Sequence, residues 1–182
     1  KGVKKTELIS FSWGKTLQNI YKEDKVMFGV TMSGRSIGLA DLENVPGQFI
    51  NTLPIYMDLS LEKTTEEVIY NLRNDLTESD GKEQVCLNQL KRIMGRENKE
   101  DLYDTILVFD NYPEGVNLMN DNNFISSNPF ADMNLSIAQT EFPLRVDIWL
   151  GGNTQIIMSW YENEFSENAI SQGFEQFSQF LT

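Results

Sequence analysis

The chain has 182 residues, enough for one domain with its own core, and its 40% hydrophobic and 23% charged content is that of an ordinary globular protein. Fifteen basic against 27 acidic residues give a net charge of -12, which disfavours nucleic acid, and the absence of histidine excludes Ser-His-Asp and Cys-His catalysis and, with one cysteine, the common zinc patterns. No apolar run approaches the roughly 20 residues that span a bilayer and the start KGVKKTELIS lacks a signal core, so the expectation is a cytoplasmic protein with no membrane partner.

From Thr6 to Asp24, Ile9, Trp13, Leu17, Ile20 and Tyr21 fall at helical spacing, which predicts a helix packed by one face on a sheet. Between Lys25 and Ser33 the period changes to two: Val26, Phe28, Val30 and Met32 alternate with Met27, Gly29 and Thr31, as in a strand. Gly34 can end that strand, Asp41 to Gly47 is turn-rich, and strand character returns from Phe49 to Leu59. Pro54 lies inside this second run; lacking an N–H, it predicts a bulge or a sheet edge.

Thr64-Thr65-Glu66-Glu67 is a capping-box pattern, followed by Val68, Leu72 and Leu76 on one helical face. A shorter helix is expected from Val85 to Met94, closed by Gly95. Cys86 has no partner for a disulfide and reads as a buried structural thiol. Thr105 to Phe109 is a continuous apolar run of the kind that forms a central strand covered on both faces. Asn111 to Asp132 is a long polar connection, and Met133 to Thr140 reads as a strand. Leu144 to Leu150 and Ile156 to Trp160 alternate around Gly151-Gly152-Asn153, a β-hairpin. A final helix capped by Ser166 carries Ile170, Phe174, Phe177 and Leu181 on one stripe. This order predicts an α/β sandwich built on a mixed sheet, as a single domain over 1–182.

Most nucleotide and metal motifs are absent. There is no phosphate-binding Gly-x-x-x-x-Gly-Lys-Ser/Thr loop, and Gly34-x-x-x-Gly38 lacks the strand-to-helix setting of a dinucleotide site. No EF-hand spacing occurs around Asp121, so no metal site is expected. Glu66-Glu67 and Asp101-Asp104 read as solvated helix-start and loop charges rather than as an acid–base pair.

One stretch, FGVTMSGRSIGLADLENVPGQFINTLP from Phe28 to Pro54, resembles the condensation domains of nonribosomal peptide synthetases, and so do ISFSWGKTLQNIYKED upstream and YDTILVFDNYP downstream. The resemblance implies the chloramphenicol-acetyltransferase-like fold, in which two lobes meet in a V around a channel. It further implies amide formation between a carrier-bound acyl or peptidyl thioester and a carrier-bound aminoacyl group. The expected partners are the N-terminal lobe of the same domain, peptidyl or acyl carrier proteins with their phosphopantetheine arms, and an adjacent adenylation domain. No cofactor is expected to bind this chain directly.

The family's His-His-x-x-x-Asp-Gly loop belongs to the N-terminal lobe and has no counterpart here, so the chain resembles a C-terminal lobe that is catalytically incomplete alone. By the same resemblance, Ser33 and Arg35 line the channel, Asn51 and Thr52 shape its acceptor side, and Gly34, Gly38 and Gly47 belong to the floor loop. Each has a plainer reading beside it: Ser33 and Gly34 as a strand end, Arg35 in a surface ion pair, Asn51 and Thr52 in backbone hydrogen bonds. The loop from Asn111 to Asp132 matches the latch that crosses between lobes, and Gln139 to Leu144 matches a late block in which Glu141 replaces the usual Asn. Tyr56 stands where the family commonly has Arg, which sets two other readings beside the first: a non-catalytic module that docks carrier or partner domains, and half of an acetyl-type acyltransferase. For docking, Lys4, Lys5, Lys15, Lys22 and Lys25 offer a basic cluster or simply solvated charge.

Overall fold

A computed structural model describes residues 2–32, 50–79, 87–93, 95, 101–110, 142–150 and 154–181. In chain order the elements are α1 (Lys5–Tyr21), β1 (Lys25–Met32), β2 (Asn51–Asp58), α2 (Thr65–Ser79), α3 (Leu87–Ile93), β3 (Thr105–Asp110), β4 (Leu144–Leu150), β5 (Thr154–Trp160) and α4 (Glu167–Leu181). Each was expected from the pattern of the sequence. The predicted strand Met133 to Thr140, the long loop before it and Cys86 lie outside the described residues.

The strands form a five-stranded mixed sheet in the order β2-β1-β3-β4-β5. β1, β3 and β4 run parallel, while β2 and β5 are antiparallel to their neighbours β1 and β4. Pro54 accordingly sits in the strand at the end of the sheet, opposite Gly29, and the register on either side of it is unbroken. Its missing N–H is accommodated by position, without a bulge.

Alternation sorts the side chains onto two faces. On the first, Val26, Phe28 and Val30 of β1, Ile55 and Met57 of β2, Leu107 of β3 and Leu144, Val146 and Ile148 of β4 are buried in one core with Trp13, Leu17, Leu72 and Phe177 from the helices. Trp13 meets Phe177 edge-on at 5.4 Å, and its indole N–H donates to Thr105 Oγ1 at 3.3 Å, so a buried polar atom is paired. On the second face, Ile106 and Val108 of β3 pack with Leu102 and Tyr103, partly covered by Leu87 and Leu90 of α3 and by Phe142. β3 is therefore covered on both sides, as its unbroken apolar run required.

Local chemistry sets the helix ends. Thr64 N donates to Glu67 Oε2 at 2.8 Å and Glu67 N to Thr64 Oγ1 at 3.2 Å, a reciprocal capping box before α2. Ser166 Oγ accepts from Ala169 N ahead of α4, and Gly95 takes φ +67 after α3. The first helix departs from its expected outline: α1 stops at Tyr21 because Lys22 turns into the left-handed region, with φ 57 and ψ 34, leading the chain into β1. Tyr21, expected on the buried stripe, is consequently 37% exposed.

α1 is also buried on more than its apolar stripe. Ser12 Oγ donates to Phe180 O of α4, Thr16 Oγ1 to Ser12 O, and Gly173 of α4 brings Ile20 Cδ1 to 3.2 Å from where a Cβ would stand. Glu7 is 2% exposed and takes Arg73 of α2 in two hydrogen bonds, at 2.8 and 2.7 Å, while Glu7 Oε2 accepts from Lys4 N. The Arg73 hydrogen bonds, opposed by desolvation, hold the Glu7 carboxyl below the ordinary range.

Candidate functional site

The parallel arrangement gives the sheet a carboxyl edge at which β1 ends at Met32, β3 at Asp110 and β4 at Leu150, and at which β2 and β5 begin, with Asn51 paired to Met32 and Thr154 to Leu150. Of the connections expected to carry function, the one holding 34–47 joins β1 to β2 here, while the one holding 111–132 enters β4 at the opposite edge, where Leu144 pairs with Thr105, but leaves β3 at this edge. In open α/β sheets this is the edge where ligands are bound.

Of the residues singled out in the sequence, Asn51 and Thr52 are described, and they stand here, opposite Met32 and Thr31. Asn51 Oδ1 accepts from the Thr52 backbone N at 2.9 Å, so its amide oxygen is turned onto its own strand start. Thr52 is half-buried on the second face, its Cγ2 2.6 Å from the position a Cβ on Gly29 would take. Tyr103 Cε2 and Ile106 Cγ2 close on the same point, at 2.5 and 2.9 Å. The missing side chain of Gly29 is thus what admits the Tyr103 ring, and Thr52 is locked beside it. Ser33, Gly34, Arg35, Gly38 and Gly47 lie outside the described residues.

The second face carries polar groups beside its apolar cluster. Tyr103, stacked on Phe142 at 5.2 Å, has a buried hydroxyl that makes no hydrogen bond among the described residues. Burial and then the charge of Asp101 push it up to about 12, so it stays a protonated donor at neutral pH. On β4, Arg145 grips Asp147 through Nε at 2.9 and 2.7 Å, both side chains pointing away from the helical core. Tyr103 opens the family-like block YDTILVFDNYP but was not named as a site residue; Gly29, whose partner across the ladder is Ile106, is the further hint that a ring must fit there. Tyr56, in the expected Arg position, is 49% exposed on β2 and borders a cleft with Asn71 and Asp75 of α2.

Chemically, the described part of this edge offers the Thr52 hydroxyl as donor and acceptor, while the Tyr103 hydroxyl and the Arg145–Asp147 ion pair lie on the second face nearer the starts of β3 and β4. The chain holds no histidine, and no group of His, Cys, Asp or Glu that could hold a metal occurs among the described residues. Nor is any described helix long and apolar enough to cross a membrane.

Helices packed on a five-stranded mixed sheet define the class as an α/β sandwich. The chain belongs to the condensation domain family, whose model matches residues 1–182. It is 28% identical over 174 residues to a linear gramicidin synthase of Brevibacillus parabrevis, covering 96% of this chain and 2% of that protein. It is 26% identical over 159 residues to bacitracin synthase 3 of Bacillus licheniformis, covering 87% of this chain and 2% of the relative. Among solved structures, the starter condensation domain of rhizomide synthetase superposes with TM-score 0.66 at 12% identity, over 96% of this chain and 40% of that one. The epimerization domain from the third module of tyrocidine synthetase B does so with TM-score 0.69 at 11% identity, over 98% and 41%. The fold is thus shared with these domains, and the chain spans well under half of each.

Proposed function

We propose that this chain is the C-terminal lobe of a nonribosomal peptide synthetase condensation domain, shaping the acceptor side and floor of the channel. In the reaction, the amine of a carrier-bound aminoacyl group attacks a carrier-bound acyl or peptidyl thioester. The C–N bond forms, the C–S bond breaks, and the donor phosphopantetheine leaves as its thiol, taking up the proton that the amine gives away. The proton-handling histidine comes from the N-terminal lobe. In this lobe Thr52, held by Gly29 and Tyr103, presents its hydroxyl beside the substrate; Asn51 fixes the strand start; Ser33 and Arg35 line the channel; and Gly34, Gly38 and Gly47 carry the floor loop beneath it. Carrier proteins and an adenylation domain are the partners this role requires.

What supports the reading most is one pairing of facts: a family match running through residues 1–182 and not one histidine among them. The test is a condensation assay in which the chain is combined with a histidine-bearing N-terminal lobe and two loaded carriers. Replacing Thr52 with Val keeps the methyl contact with the Gly29 region and removes the hydroxyl. The expected result is a roughly tenfold loss in kcat/KM for the acceptor carrier with the donor KM unchanged, the weight of about one hydrogen bond. An unchanged acceptor term would make Thr52 a packing residue only.

The exposed Tyr56 in the expected Arg position favours a second reading, a non-catalytic module that docks partner domains. Tyr56→Arg separates the two: a gain in acceptor-side rate supports the condensation role, and no effect on rate with altered partner binding supports docking.

A further inference from the structure

Along the outer strand of the sheet, a groove of about 460 Å³ opens between β2 and the C-terminal half of α2, with α3 at its side. Its floor and wall are apolar: Leu53, Pro54 and Leu90, with the half-exposed ring of Tyr56 at the mouth. Leu90 also packs against the second apolar cluster, so the groove runs into the covered part of the sheet. Above this apolar floor stand Asp75 and Glu78, at i and i+3 on one face of α2. Neither carboxylate has an ion pair or hydrogen bond among the described residues, whereas Asp58, Asp101, Asp147 and Glu7 are each matched to a Lys or Arg. The Asp75 carboxyl is pushed above its usual range by burial and then by the charge of Glu78.

Two neighbouring carboxylates over an apolar trough, beside an exposed aromatic ring, match one chemistry: a guanidinium or ammonium whose flanking residues are apolar. The carboxylates and the ring face attract the cation, and Leu53, Pro54 and Leu90 receive its aliphatic neighbours. We propose that this groove docks a short peptide segment of a neighbouring domain or protein carrying an Arg or Lys between apolar residues. An acidic protein surface does not fit it, since two carboxylates with no cation paired to them among the described residues would repel it. Docking here follows from the geometry of the groove and stands whether or not the condensation reading holds.

The test is a selection of random heptapeptides on the full chain, counter-selected on the double variant Asp75→Asn with Glu78→Gln. The expected result is enrichment of sequences with a basic residue flanked by apolar ones. The leading peptide should bind the double variant about five- to tenfold more weakly and lose affinity with added salt, as one desolvated charge contact gives. In amide NMR spectra it should shift Leu53, Tyr56, Asp75, Glu78 and Leu90. Both substitutions remove like-charge repulsion, so the variant is expected to keep its amide dispersion and serve as a folded control. Selected peptides without basic residues, equal affinity for the double variant, shifts confined to other surfaces, or self-association of the chain through these same amides would each overturn the proposal.

Discussion

Gly29 carries more of the site than any side chain near it. A Cβ there would meet Tyr103 Cε2, Thr52 Cγ2 and Ile106 Cγ2, all on the second face and all hemmed in by neighbours. Gly29→Ala is therefore expected to destabilise the fold by about 1–3 kcal/mol, as overpacking does, measured by urea unfolding. It should also move the Thr52 amide in NMR spectra; an unshifted Thr52 with unchanged stability would remove the packing argument. Asp75 makes a prediction of the opposite sign. With a carboxyl raised in the folded state, the penalty is absent below the ordinary aspartate range and fully present above the raised value, so Asp75→Asn should raise the midpoint of thermal unfolding at pH 7 and leave it unchanged at low pH. A side chain spent on docking in this way is a familiar place to find stability forgone.

Between elements, two contacts decide how the helices sit. Phe177 of α4 is fully buried against Trp13 of α1, and Phe177→Ala should cost about 3–5 kcal/mol through the cavity it leaves, read from the midpoint of urea unfolding. Glu7 ties α1 to α2 through Arg73. Because its folded carboxyl is lowered, its contribution is present above the ordinary glutamate range and is lost as pH falls through the lower folded value. Glu7→Gln should then lower stability by about 1–2 kcal/mol at pH 7, with the gap to the parent closing on acidification in a urea series. At this scale the sequence was most readable, since period, caps and breakers act locally. The Thr64/Glu67 box, the Ser166 cap and the alternation of β1, β4 and β5 all name their elements. What it could not give were facts made by topology. That Glu7 is buried follows from its pairing with α2, and that Ser12 and Thr16 are buried follows from α4 packing on a second side of α1. Tyr103 became part of the site only because β3 runs parallel to β1 and lays its ring across Gly29. The same holds for the groove: Asp75 and Glu78 look like any solvated helix charges until Leu53 and Leu90 are placed beneath them.

At the scale of the molecule, the family could be read from the blocks around Ser33 to Thr52, and the mixed α/β sandwich agrees with it. Composition supplied the sharper constraint. With no histidine, the chain does not itself carry the His-His-x-x-x-Asp-Gly loop of the family it resembles. The central proposal is a division of labour, in which this chain positions and a histidine of an N-terminal lobe acts. The most direct measurement is the amide product formed from donor- and acceptor-loaded carriers, quantified by mass spectrometry with the purified chain alone and again with a histidine-bearing N-terminal lobe added. The expected result is product at the carriers-only background in the first case and turnover in the second. Turnover by the chain alone would contradict the claim.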